Sequence, residues 1–161
     1  MTLMHIAFET PDQPEVHALI AELDAYLYSL YPPENVYALD IASLLHPSVL
    51  FAVIRDGTGV AMGCGAIVIK PAYGEIKRMY LRPAARGRGV AGQLIETLEA
   101  KATEQGCHTF MLETGPTMDG ALKLYARLGY QVCGPFGDYP DDPLSVFMQK
   151  TVARRASLAA S

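Results

Sequence analysis

Between a β-prone run and an apolar helical pattern the chain places Arg86-Gly-Arg-Gly-Val-Ala-Gly92. The first amides of a helix have no partners inside it and lie at the positive end of its dipole. Glycines let a ligand approach that backbone closely, and guanidinium groups bring charge and paired donors suited to phosphate oxygens. The chemistry these residues suit is the cradling of a pyrophosphate by Arg86, Gly87, Arg88, Gly89, Val90, Ala91 and Gly92. An ordinary strand–loop–helix junction could use the glycines for tight packing alone. The two interleaved arginines weigh against that.

The same run satisfies GxGxxG over Gly87–Gly92, and Glu113 stands about 20 residues further on, as the ribose-binding acid of a dinucleotide enzyme would. In such a fold the strand runs almost directly into its first glycine. Here Arg82-Pro-Ala-Ala-Arg86 intervenes, and the strands before it read as a meander and not as βαβ units. An oxidoreductase is therefore the weakest of the readings.

The run also resembles the signature of the GNAT (GCN5-related) N-acetyltransferase superfamily: Gln or Arg, two residues, Gly, one residue, then Gly or Ala. Arg86-Gly-Arg-Gly89-Val-Ala91 matches it. A second segment, Leu112-Glu-Thr-Gly115 followed by Ala121-Leu-Lys-Leu-Tyr125-Ala-Arg-Leu-Gly-Tyr130, resembles the family's "A..LY...GF". The resemblance is good over residues 48–133 and implies an α/β fold with a mixed, mainly antiparallel sheet of about seven strands, flanked by helices. It further implies acetyl-CoA as co-substrate, no metal, and direct transfer of acetyl to a primary amine of a small molecule or peptide. The turn amides would hold the CoA pyrophosphate. The strand segment Met79, Tyr80 and Leu81 would bond the pantetheine arm through its backbone.

Acetyl transfer needs a base for the amine and an acid for the departing thiolate. By the resemblance, Tyr125 is the acid, since a phenol has a proton to give at neutral pH. Glu113, in a "LET" where a subgroup that acetylates protein N-termini has "LEV", and Glu75, at the start of the strand facing the cofactor, are the two candidate bases. Each could instead be a solvated or salt-bridged carboxylate. Lys77 and Arg78 could supply that bridge or hold a substrate carboxylate, and Tyr31 and Tyr139 stand in the regions that form the acceptor side. One departure is Met118, where many members place an Asn that bonds the pantetheine. A non-catalytic CoA-binding sensor would keep the turn but lose the acid and base.

These residues need a scaffold. Met4–Phe8, Val49–Ile54, Val60–Ile69, Glu75–Leu81, Thr109–Leu112, Tyr130–Cys133 and Leu144–Lys150 read as strands. Helical spacing of apolar residues predicts a helix from Pro14 to Leu30, a shorter one over Tyr37–Leu45, a long one from Gly87 to Gly106, and one over Thr117–Leu128. Residues 1–150 would form a single domain and residues 151–161 a frayed tail.

With 50% hydrophobic residues over 161, the chain has material for a sizeable core. A net charge of −4 argues against a nucleic-acid partner. No run reaches the ~18 apolar residues of a membrane span, and Met1–Thr10 lacks the features of a secretory signal. Cys64, Cys107 and Cys133 make no CxxC pair and read as reduced thiols, and the histidines show no metal spacing. The expectation is a cytoplasmic protein, with a homodimer as the further partner.

Overall fold

The structure, a computed structural model, describes residues 3–153. In chain order the elements are β1 (His5–Phe8), α1 (Pro14–Leu30), α2 (Ile41–Leu44), β2 (Val49–Arg55), β3 (Ala61–Ile69), β4 (Gly74–Leu81), α3 (Val90–Glu104), β5 (Thr109–Thr114), α4 (Asp119–Arg127), β6 (Gln131–Cys133) and β7 (Val146–Thr151). They form one sheet of seven strands in the order β1-β2-β3-β4-β5-β7-β6. Short turns join β2, β3 and β4 into an antiparallel meander. α3 is the crossover that brings β5 in parallel beside β4, the one parallel pairing in the sheet. A dinucleotide fold of repeated βαβ units is thereby excluded.

Each face of the sheet carries a core. Val16, Leu19 and Ile20 of α1 and Leu44 of α2 pack with Phe51, Val53, Cys64 and Ala66 on one face. On the other, Val90, Leu94, Ile95, Leu98 and Ala102, one stripe of α3, cover Ile54, Ile67, Ile76, Phe110 and Leu112. α3 is further tied down through Glu99, which is buried. It accepts hydrogen bonds from Tyr130 Oη at 2.6 Å and from Lys150 Nζ at 2.8 Å. A buried carboxylate needs such partners.

β4 and β5 stay together for only three register pairs, Gly74–Phe110, Glu75–Met111 and Ile76–Leu112. Beyond them the strands part. The cause lies on the other edge of β4. Lys77 pairs with Ala66 and Tyr80 with Cys64, so Arg78 and Met79 both stand opposite Gly65. That is a β-bulge, and it bends its strand. Arg78 takes a left-handed backbone (φ 59°) to make it. The edge of β4 from Lys77 to Leu81 is left without a strand partner on the β5 side, and a wedge opens into the sheet.

Strand ends shift from the sequence reading by a residue or two, and larger differences fall in the helices and at the end of the chain. Only Ile41–Leu44 is helical in the second helix, because Asp40, itself in an extended backbone, caps it there by accepting from Ser43 N at 2.7 Å. α3 starts at Val90, since Gly87 and Gly89 have left-handed backbones. α4 is shorter at both ends than Thr117–Leu128. Thr151 belongs to β7, paired with Thr109, so the expected tail begins later. Its remainder from residue 154 lies outside the described residues.

Candidate active site

The wedge between β4 and β5 holds a cavity of about 740 Å³. Its walls come from the unpaired end of β4, the turn into α3, the β5–α4 junction, and the segment that follows α1.

At one end Met79, Tyr80 and Leu81 meet Arg86, Gly87, Gly89, Val90, Ala91 and Gly92 on the cavity wall. Gly87 and Gly89 have φ of 78° and 75°, and a side chain built on either would meet no atom within 4 Å. The space over the turn is therefore open, and the conformation is one L-residues with side chains rarely adopt. Within the helix the first amide to find a carbonyl is that of Gln93, which bonds Gly89 O. The amides of Val90, Ala91 and Gly92 precede it and are the helix's unpaired donors. Arg86 donates from Nε to Leu81 O at 3.0 Å, which ties the turn to the end of β4 and leaves its terminal nitrogens exposed. Arg88 is exposed and stands off the cavity wall. Arg82, which the sequence did not single out, clamps this end through Glu22 of α1 at 2.9 Å.

In the middle of the cavity stands Tyr125, on the inward face of α4. Its ring packs edge-on against Tyr130 at 5.7 Å between centroids. Burial raises the pKa of its phenol above the ordinary tyrosine value. Its hydroxyl makes no hydrogen bond among the described residues. Met118, at the start of α4, also lines the cavity, and its sulfur accepts from Thr114 Oγ1 at 3.5 Å.

The far end is made of side chains. Glu113 lines the cavity, and burial raises its carboxyl pKa above the usual glutamate value, against the opposing pull of Ser145, whose Oγ donates to it at 2.8 Å. Lys77 lines it too, and donates to Tyr37 O at 2.7 Å and to Tyr139 Oη at 2.8 Å. Burial lowers its pKa below the ordinary lysine value. Glu75 and Tyr139 stand behind Lys77, off the cavity wall. Glu75 is 4% exposed, accepts a short hydrogen bond from the Tyr139 hydroxyl and faces two ammonium groups, Lys70 at 3.3 Å and Lys77 at 3.6 Å. Arg78 turns under α1, where its Nη2 bonds Asp24 at 2.6 Å, while its buried Nε has no partner among the described residues. Tyr31 closes the roof. Its hydroxyl bonds Thr117 Oγ1 at 2.6 Å, and its ring lies so close over Gly115 that any side chain there would collide with it.

Asp142 holds this end together from the last loop. It accepts from Asn35 Nδ2 and from the Tyr37 hydroxyl, both at 2.7 Å, and from Leu144 N at 2.8 Å. The Tyr37 bond, with the others, keeps Asp142 below the usual aspartate value, and the same bond pushes the Tyr37 phenol up to about 12. Asn35 and Tyr37 were invisible to the sequence reading as site residues. Only their chain distance from Asp142 hid them. Cys64 is fully buried, its thiol pushed up to about 12 by burial, which leaves it a poor nucleophile.

Residues 16–130 match the sequence profile of the Acetyltransferase (GNAT) family. This chain belongs to the GNAT acetyltransferase family. It is 44% identical over 147 residues to the IAA acetyltransferase of Azospirillum brasilense, covering 90% of this chain and 95% of that protein. A structure from Klebsiella pneumoniae assigned to the acyl-CoA N-acyltransferases superposes with a TM-score of 0.81 at 42% identity, over 92% of this chain and 97% of the other. The fold alone is shared with the PaiA N-acetyltransferase of Thermoplasma acidophilum, whose structure is in complex with coenzyme A (TM-score 0.73, 16% identity, 93% and 99% covered). The sheet of this GNAT protein, open between its one parallel pair, is that of its structural neighbours, and the protein is an acyltransferase. Among its described residues no helix is long and apolar enough to cross a membrane.

Proposed function

We propose that the chain transfers acetyl from acetyl-CoA directly to a primary amine of a small molecule or peptide, with residues 1–150 acting as one catalytic domain. One observation carries the reading. The unpaired edge of β4 and the left-handed glycine turn run into the same cavity as Glu113 and Tyr125.

The residues fit acetyl-CoA. Unpaired amides at Val90–Gly92, under open space over Gly87 and Gly89, suit the pyrophosphate, with Arg86 beside them. The backbone of Met79 and Leu81, without a β5 partner, suits an extended amide-bearing arm. When bound, the co-substrate supplies the thioester carbonyl and the thiolate leaving group. Glu113 takes the proton of the attacking amine; its raised pKa makes it a stronger base than a solvated glutamate. The N–C bond to the acetyl carbon forms as the C–S bond breaks. Tyr125 donates its proton to the departing sulfur, and burial keeps that phenol protonated until then. Glu75 is the second candidate base; its bonds to Tyr139, Lys70 and Lys77 fit better with holding Lys77 in place.

The test is free thiol released from acetyl-CoA in the presence of a panel of amines, with the acetylated amine identified by mass. Amine-dependent release with a matching product is expected. Binding of acetyl-CoA with no amine-dependent release would end the reading.

A further inference from the structure

Where β4 and β5 part, two opposite charges face each other without touching. Ile76 and Leu112 are the last register pair and both point into the α3-side core. Side chains alternate along strands, so their successors Lys77 and Glu113 both point to the other face. They follow the last register pair on neighbouring strands, where the two strands begin to part. Both line the cavity. Yet among the described residues they form no ion pair: Glu113 takes the Ser145 hydroxyl, and Lys77 takes Tyr37 O and Tyr139 Oη.

The donor count on Lys77 is incomplete. An ammonium has three N–H groups. Two are used, and the nearest carboxylate, Glu75, is at 3.6 Å, outside hydrogen-bond reach, and is shared with Lys70 at 3.3 Å. Glu113 likewise has acceptor capacity left beyond Ser145. The cavity wall thus carries a cation and an anion from two parting strands, each with bonding capacity left. Leu27, Val36 and Leu144 give the same cavity apolar wall, beside the Tyr31 ring and the polar groups already described.

We infer that the acceptor is a free α-amino acid with an apolar side chain, its amine directed to Glu113 and its carboxylate to Lys77. The inference rests on the amine-acetylating reading above and narrows it. A ligand with both charges on one carbon offers a partner to each group. A plain amine would leave Lys77 unsatisfied, and a peptide N-terminus would present an amide carbonyl where a carboxylate is called for. The product is the N-acetyl amino acid, its carboxylate unchanged.

The experiment compares L-leucine and L-phenylalanine with L-leucinamide and L-phenylalaninamide as acceptors, alongside the general amine panel. The acids are expected to show kcat/KM at least about tenfold above the amides, as a charge-assisted contact gives. Lys77→Met should raise KM for the acids by about tenfold and so narrow or abolish their preference over the amides, while Lys77→Arg restores part of that preference. Melting temperatures are measured alongside, and the wild-type preference decides the matter even if a variant fails to fold. Amides or plain amines used as well as the acids would overturn the inference and leave amine acetylation standing. Failure of every amine in the panel would overturn both.

Discussion

The two ends of the cavity are built from different materials. The β4–α3 end is backbone: an unpaired strand edge, two left-handed glycines and the first amides of a helix. The other end is side chain: Lys77, Glu113, Tyr37, Tyr139 and Asp142, drawn from four separate parts of the chain. Backbone donors offer the same groups whatever the sequence, so that end suits the invariant part of a reaction. Side chains differ in charge and reach, so the other end is where choice among acceptors resides.

That contrast can be broken by substitution. The largest effect is expected from Glu113→Gln, which should lower turnover by about 10³-fold if the carboxylate is the base. Because burial raises its pKa, the acidic limb of the wild-type pH–rate profile should lie above that of an ordinary glutamate, with activity lost as pH falls through it. Stability should move the opposite way. A raised folded-state pKa means that the stabilising contribution is complete below the unfolded pKa and is lost as pH rises through the folded one. Glu113→Gln should therefore melt higher than wild type at neutral pH, with the gap closing in acid. A limb that persists in Glu113→Gln and disappears in Glu75→Gln would move the base to Glu75.

Next is Tyr125→Phe, which removes a hydroxyl and keeps the ring against Tyr130. Turnover should drop by about 10²-fold with little change in KM for acetyl-CoA, since the contact matters in the transition state. Steady-state rates at wild-type levels, with an intact melting transition, would reduce Tyr125 to a packing residue.

At the backbone end the effects should be smaller and fall on binding. Gly89→Val should weaken acetyl-CoA binding by about tenfold in calorimetry, by filling the approach and straining a φ of 75°. Gly89→Asn tolerates that backbone better and should lose less stability while still obstructing the turn. Smallest is Arg86→Ala: a loss of about threefold for acetyl-CoA and none for acetyl-pantetheine, which lacks the pyrophosphate. Equal losses for both would mean that the Nε bond to Leu81 O matters for the turn's shape and not for phosphate.

The same contrast decided what could be read from the sequence. Glycines with arginines before a helix are a local signal, so Arg86–Gly92 was legible, as were the strands of the meander and the apolar stripe of α3. The wedge was legible only through resemblance, and its cause was not: nothing in Lys77-Arg78-Met79 announces a bulge or a left-handed arginine. The partnership of Lys77 with Glu113 depends on a parallel register that no local pattern encodes. Asn35, Tyr37 and Asp142 meet because two loops, both broken by prolines, pack together. Arg78 and Lys77 looked equivalent as neighbouring cations, and both border the cavity, but Arg78 is paired with Asp24 of α1 while Lys77 bonds Tyr37 O and Tyr139.

The chain contains no tryptophan and nine tyrosines. Tyr26, Tyr31, Tyr37, Tyr80 and Tyr125 all border the one cavity. The protein's intrinsic near-ultraviolet absorption and emission therefore come mostly from its own site, with no indole to mask them. Filling the wedge changes the polarity and hydrogen bonding around more than half of its chromophores, so the unlabelled protein is an optical reporter of its own occupancy.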